Sequence, residues 1–389
     1  MVKKVSFFLW GAFSLLLFLY SYVQVDLGLT LNRASFLQAL QKSFQYIGYF
    51  NRPLSAYLAS AIFTLLFGLY LLTLFWVKKG QLTEKTMIRI IVLVTVILLF
   101  SYNAFSYDLF NYIFDAKIIT HYHANPYFQK ALDYPGDPML GFMHWTHRTY
   151  PYGPTWLLLT VPLSFMGFGY FLATFFLFKA LAAGSFILSC IMVKKISEKT
   201  KLIQPVFALS FFALNPFVLI ESLVSGHNDI AMIALLLVGV YYLFEQKKYS
   251  PWLYVVLSIG VKFATGLLLP LFLWYAFFKK KRHDFLFFLA SAILMGIAVY
   301  LASARTTFQP WYFLLPFPFL TFLGNRAYIF TFTVTFSFLI LFQYLPYIYS
   351  GNYDPPIPAL MNNMLWASIG LSILLSGISR MLTLRKPSK

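Results

Sequence analysis

Four of the chain's twelve carboxylates and four of its six histidines fall in one stretch, SYNAFSYDLFNYIFDAKIITHYHANPYFQKALDYPGDPMLGFMHWTHRTYPYGPTW, from Ser101 to Trp156. They are Asp108, Asp115, Asp133 and Asp137 with His121, His123, His144 and His147. Only 11% of the residues are charged, so this density marks the first place to look for chemistry. A second polar segment, NPFVLIESLVSGHND, supplies Glu221 and the run Gly226-His227-Asn228-Asp229. A carboxylate at a helix mouth, partly buried near a membrane interface, has the raised pKa of a general base. Asp108 and Asp229 are so placed. Side chains such as Glu221, His227, Asn228 and Asp229 can grip a sugar through paired hydrogen bonds, and Gly226 lets a ligand approach the backbone.

Each of these residues also has a plainer reading. Asp229 with Asn228 suits a helix cap, whereas Asp108 follows a helix and fits that role less well. Lys262, alone in an apolar run, is either an anion ligand or a snorkelling lysine. Arg305, just after an apolar run, is the other cation placed to meet an anion. Trp145, Tyr152 and Trp311 can stack on sugar C–H faces, yet aromatic rings also form the ordinary interfacial belt. His121 and His123, two apart, point to opposite sides of an extended segment, which is poor metal geometry. The sequence calls for no metal and no cofactor, and it contains no nucleotide-binding glycine loop.

The elements that must position these groups are transmembrane helices. With 60% hydrophobic and 21% aromatic residues, the chain has too few polar groups to coat a soluble fold. Val5 to Tyr22, Leu54 to Val77 and Met87 to Phe105 approach or exceed the roughly 18 to 20 apolar residues that cross a bilayer. The net charge of +18 invites a nucleic-acid reading, but most basic residues sit in six short clusters that flank apolar runs. These are Lys3 and Lys4, Lys78 to Arg89, Lys194 to Lys201, Lys247 and Lys248, Lys279 to Arg282, and Arg380 to Lys389. That is the pattern of cytoplasmic helix edges, not of a nucleic-acid surface. Cys190 is the only cysteine, so no internal disulfide forms, and the basic, apolar N-terminus reads as a retained signal anchor.

Placing the basic clusters inside gives an all-α, polytopic bundle of about twelve transmembrane helices. Residues 1–105 are N-terminal helices, 106–312 the catalytic region and 313–389 C-terminal helices, all in one membrane domain. Asp26 to Arg52 lie outside as an interfacial helix. The Ser101–Trp156 loop is extracytoplasmic, and Thr155 to Gly167 is a re-entrant or interfacial helix. Pro251 to Phe278 holds two short helices with Lys262 at their outer junction. Eight carboxylates, Asp26, Asp108, Asp115, Asp133, Asp137, Glu221, Asp229 and Asp354, fall on the outer side.

In order along the chain, several short patterns resemble the GT-C superfamily of membrane glycosyltransferases, in particular the polyprenol-phosphomannose-dependent α-mannosyltransferases of glycosyltransferase family 87 and its relatives. They are Tyr107-Asp108 with Tyr112, Asn125-Pro126-Tyr127, Trp145 and Tyr152-Gly153-Pro154, then Asn215-Pro216-Phe217, Gly226-His227-Asn228-Asp229 with Met232, Lys262, Pro270 and Gln309-Pro310-Trp311-Tyr312. The resemblance covers about half the chain, from Tyr107 to Tyr312. It implies a plasma-membrane enzyme that moves a sugar from a polyprenyl phosphate to a glycan or glycolipid hydroxyl on the outer face, with inversion and with membrane lipids as its surroundings. Asp108 is then the catalytic base, and His227, Asn228 and Asp229 belong to the substrate pocket. Two features depart from the family pattern. Leu109, not a second acid, follows Asp108, and three helices precede the catalytic loop where many members have one.

A displacement at an anomeric carbon needs a base for the incoming hydroxyl and a cation for the departing phosphate. Lys262, Arg305 and His227 are the candidates for that cation. A lipid-linked-sugar flippase or other secondary transporter is the competing class, since broken helices and intramembrane charge mark those as well. A transporter gathers polar groups at the midplane, whereas here they crowd one face.

Overall fold

A computed structural model describes residues 1–277 and 283–384. The basic clusters Lys279 to Arg282 and Arg385 to Lys389, and Phe278 at the end of one expected helix, lie outside the described residues. Among the described residues there is no strand, only one bridge between Lys130 and Thr149. The helices are α1 (Val2–Val23), α2 (Ser35–Gln45), α3 (Arg52–Lys78), α4 (Glu84–Leu99), α5 (Asp108–Thr120), α6 (Pro154–Met166), α7 (Phe171–Thr200), α8 (Pro205–Ala213) and α9 (Pro216–Leu219). They continue as α10 (Asp229–Phe244), α11 (Ser250–Ile259), α12 (Leu269–Phe277), α13 (Asp284–Arg305), α14 (Phe317–Phe322), α15 (Ala327–Leu341), α16 (Leu345–Ser350) and α17 (Ile357–Leu384).

Of these, α1, α3, α7, α13, the Ala327–Ser350 stretch and α17 are long and apolar enough to cross a membrane, and a seventh span appears if α8 and α9 are taken together. Against the expectation of about twelve spans, the described residues hold six or seven candidate spans and a set of shorter helices. The shortening has a covalent cause. Pro216 has no N–H to give the helix ladder, so the chain bends by 55° between Ala213 and Pro216. Asn215 repairs the break, accepting from the Phe217 N–H at 3.0 Å and donating through Nδ2 to Ser337 Oγ at 3.0 Å. Between α11 and α12 the chain likewise breaks at Gly260 to Lys262.

Two expectations about local structure change. The third apolar run, Met87 to Phe105, is not one helix: α4 stops at Leu99, where Ser101 Oγ turns back onto Leu98 O at 2.5 Å. Asp108 therefore opens a new helix, α5, instead of following one. Asp229 does begin a helix, but neither it nor Asn228 makes a side-chain cap bond to α10; the Asp229 carboxylate is used elsewhere. Other readings match in place. A short helix lies where one was expected at Thr155 to Gly167, namely α6, and before Arg52 the chain forms α2 and a π turn at Tyr46–Phe50.

Every residue from Phe207 to Ala234 is buried. This stretch carries α8, α9, a π turn at Ile220–Val224, the polar turn and the start of α10 through the middle of the bundle. α7 packs along it and touches α4, α5, α6, α8 and α10. The residues flanking the polar turn are therefore held from several sides.

Candidate active site

Asp108 and the Gly226–Asp229 turn, more than a hundred residues apart in sequence, meet at one end of the bundle. Asp108 Oδ2 lies 3.6 Å from His227 Nδ1, and His227 Nε2 lies 3.3 Å from Glu221 Oε2. Behind Glu221, the Tyr344 hydroxyl donates to Oε1 at 2.8 Å. Trp311, from a turn at Pro310–Leu314, stacks on the imidazole with centroids 4.1 Å apart. These contacts form a row: Asp108, His227, Glu221, Tyr344. Neither imidazole nitrogen has a hydrogen bond of good geometry, so the attraction within the row is mainly that of charge at short range. Burial pulls the His227 pKa down, but the Asp108 and Glu221 carboxylates outweigh it and hold the group at about 9. His227 is thus a cation at neutral pH, clasped by two acids.

A second flank is built from α5, the loop end and α10. The motif Tyr152-Gly153-Pro154 owes its glycine to a close approach: a Cβ on Gly153 would lie 2.4 Å from Gly260 O. Gly153 and Thr155 donate their N–H groups to Val261 O and Gly260 O at 3.2 and 2.8 Å. This splice sets Tyr152 beside Lys262, whose ammonium lies 5.7 Å from the ring centroid. The Lys262 Nζ meets Asp229 Oδ2 at 2.7 Å. Tyr112, one turn along α5 from Asp108, donates to Asn228 Oδ1 at 3.3 Å and packs edge-on against Tyr152 and Trp156. Asp115, a further turn along, has its pKa raised to about 8 by burial and then by the Asp108 charge, so it is mostly neutral at pH 7.

Exposure sorts the cluster. The side chains of His227, Glu221 and Asp229 are fully buried, whereas Asp108 keeps 15% and Lys262 21% of theirs. One carboxylate and one ammonium therefore face the way in. Several buried polar atoms behind them, including both His227 nitrogens, Glu221 Oε2, Asn228 Nδ2 and Asp229 Oδ1, have no hydrogen-bond partner among the described residues. Orphans are rare in protein interiors, and their concentration here is what a site for a polar ligand shows.

Seven of the ten residues expected from the sequence, Asp108, Glu221, His227, Asn228, Asp229, Lys262 and Tyr152, are brought together, and Trp311 joins them. Two are not brought in. Trp145 is exposed, with the Arg148 guanidinium 4.3 Å from its ring centroid, although its neighbour His144 stacks on Tyr107 at 3.8 Å. Arg305 is exposed at the end of α13 and forms no ion pair with the cluster's acids among the described residues. Sequence reasoning missed Tyr344, which follows Gln343 in an apolar run far from the other polar segments. It also missed Lys179, whose signal was present: a lone lysine in the run FLFKALAAGSF. Among the described residues no three His, Cys, Asp or Glu side chains gather as a metal site.

The fold and the cluster define a helical, membrane-type protein whose polar residues converge at one end. Residues 26–278 match the family model described as "Alpha-(1->6)-mannopyranosyltransferase, N-terminal domain"; the chain belongs to this MptA_B family. Alpha-(1->6)-mannopyranosyltransferase A of Mycobacterium tuberculosis (strain ATCC 25618 / H37Rv) is 25% identical over 235 residues, 58% of this chain and 45% of that protein. The chain thus spans less than half the length of the curated relative it matches. No solved structure matches it.

Proposed function

We propose that this protein is a glycosyltransferase that moves a mannosyl group from a polyprenyl-phosphate donor to a hydroxyl of a glycan or glycolipid acceptor, at the outer face of the plasma membrane. The observation that carries this reading is the meeting of Asp108 with the His227 turn at the one partly open edge of a buried polar cluster. Family membership supplies the sugar and the reaction class.

Asp108 is the base. It takes the proton of the acceptor hydroxyl as that oxygen bonds to the anomeric carbon, while the bond from that carbon to the phosphate oxygen breaks and its electron pair leaves with the phosphate. Attack opposite the leaving group inverts the anomeric centre. Lys262, aimed by Asp229, is the cation nearest the opening and steadies the leaving phosphate. His227 faces Asp108 from behind and balances its charge, and the Trp311 and Tyr152 rings line the sugar. The buried surroundings keep water from the donor, which would otherwise hydrolyse.

The test is direct. The purified protein in nanodiscs is given polyprenyl-phosphate mannose labelled in the sugar and an α-mannoside acceptor. The expected product is an α-linked mannosyl-mannoside formed from a β-linked donor. Movement of intact donor between leaflets without product would establish the transporter class in its place.

A further inference from the structure

Beneath the Asp108–His227 pair lies a buried lysine that the proposed reaction does not use. Lys179, on α7, is 1% exposed, and no carboxylate pairs with it among the described residues. Its Nζ donates to Ser101 Oγ at 3.1 Å, to Val224 O at 2.8 Å and to Leu223 O. The nitrogen is therefore surrounded by three oxygens, all of them neutral. A buried lysine inside a helical bundle is expensive and marks function more often than packing.

The acceptors are not scattered. Leu223 and Val224 end the π turn, where helix carbonyls lack partners and the dipole is negative. Two residues later comes Gly226, in the left-handed region at φ +69°, and then His227. Ser101 lies just past the end of α4, on the segment that leads to Asp108. The lysine stem also fills the space between these segments: a Cβ on Gly226 would lie 3.8 Å from Lys179 Cδ and 3.4 Å from Leu109 Cδ1. One side chain grips both strands of chain that enter the site.

We propose that Lys179 is a positioning residue for glycosyl transfer, setting the separation of Asp108 and His227 by tying the end of the Ile220–Val224 turn to Ser101. The kinetic part of this rests on the transferase reading above; the geometric part does not. His227 reports the geometry, because the charged groups facing it are Asp108 from α5 and Glu221 from the π turn, with the uncharged Trp311 on its face.

The experiment uses the full chain in nanodiscs with isotope-labelled histidine, the His227 resonance being assigned by its loss in His227→Gln. In Lys179→Met the His227 pKa should fall from about 9 toward the ordinary 6.5, as the carboxylates draw away. Transfer should lose about 10²-fold in kcat, the cost of roughly an ångström of misplacement, with the donor KM little changed. Lys179→Arg, which keeps N–H donors at the end of a long stem, should recover most of both. Ser101→Ala removes one acceptor and should shift His227 in the same direction by less, so it carries the test if Lys179→Met does not fold. A destabilised but folded Lys179→Met protein with unchanged His227 titration and unchanged kcat, or a Ser101→Ala protein with no shift, would overturn the proposal. Absence of transfer by the unaltered protein would instead overturn the transferase reading and leave the His227 titration to decide the positioning role.

Discussion

At one end of the bundle Lys194 lies 2.5 Å from Glu84 and 3.4 Å from Glu198, and Lys199 lies 2.8 Å from Glu245, with 28 to 49% of each side chain exposed. Lys78 rests there between the rings of Phe207 and Phe330, 4.9 Å from each. At the other end Asp108, Glu221, Asp229, His227 and Lys262 are buried or nearly so, and several of their polar atoms have no hydrogen-bond partner among the described residues. Both ends combine acids with bases. They differ in solvent. Exposed pairs are worth little and are easily replaced; a buried, incompletely partnered cluster is costly to keep and persists where something uses it. The first end behaves as the edge of a membrane protein, the second as a place for chemistry.

Four substitutions break or sharpen this contrast. The largest effect is expected of Asp108→Asn, which should cost about 10² to 10⁴-fold in kcat, the range of a lost general base, with the fold intact by circular dichroism. Next is His227→Gln, which leaves Asp108 and Glu221 facing each other without a cation; unpaired buried charge costs on the order of 3 kcal/mol. Because the folded pKa of His227, about 9, lies above the unfolded value near 6.5, its stabilisation is complete below pH 6.5 and fades as pH rises through 9. Thermal unfolding against pH should show that decline in the unaltered protein and not in His227→Gln.

Asp115→Asn should be milder. The folded pKa of about 8 lies well above the ordinary 3.8, so the acid favours the folded state below pH 3.8 and loses that advantage as pH rises toward 8. The variant, already neutral, should remove this slope and change transfer at pH 7 only slightly. Smallest is Glu245→Gln at the opposite end, where loss of the Lys199 pair should cost no more than about 1 kcal/mol and leave transfer unaltered. A comparable loss of transfer there would erase the distinction between the two ends.

Much of this was legible in the residues and some was not. Composition and the basic clusters are enough for a helical membrane class, and the scarcity of charge makes Asp108 and the Gly226–Asp229 turn conspicuous. Hydropathy is blind to where a helix stops inside an apolar run. That is why Met87 to Phe105 reads as one span, while a serine hydroxyl and a polar turn end α4 at Leu99 and start α5 at Asp108. It is equally blind to a lone lysine such as Lys179, which barely lowers the average of the run that contains it. Trp145 and Arg305 have the right side chains for sugar and phosphate, but side-chain type does not say which way a loop carries them. Tyr344 has a hydroxyl on Glu221 only because α16's approach brings two distant segments together.

The central claim is that the lipid-linked donor binds at the Asp108 end. It is tested most directly by a photoactivatable polyprenyl-phosphate sugar with its reactive group beside the phosphate, irradiated with the protein in nanodiscs and mapped by peptide mass spectrometry. The account predicts labelled peptides from the Ser101–Trp156 stretch and from the turn and helix junction holding His227 and Lys262, competed away by excess polyprenyl-phosphate mannose. Competable labelling confined to peptides around Glu84, Lys194 and Glu245 would contradict it.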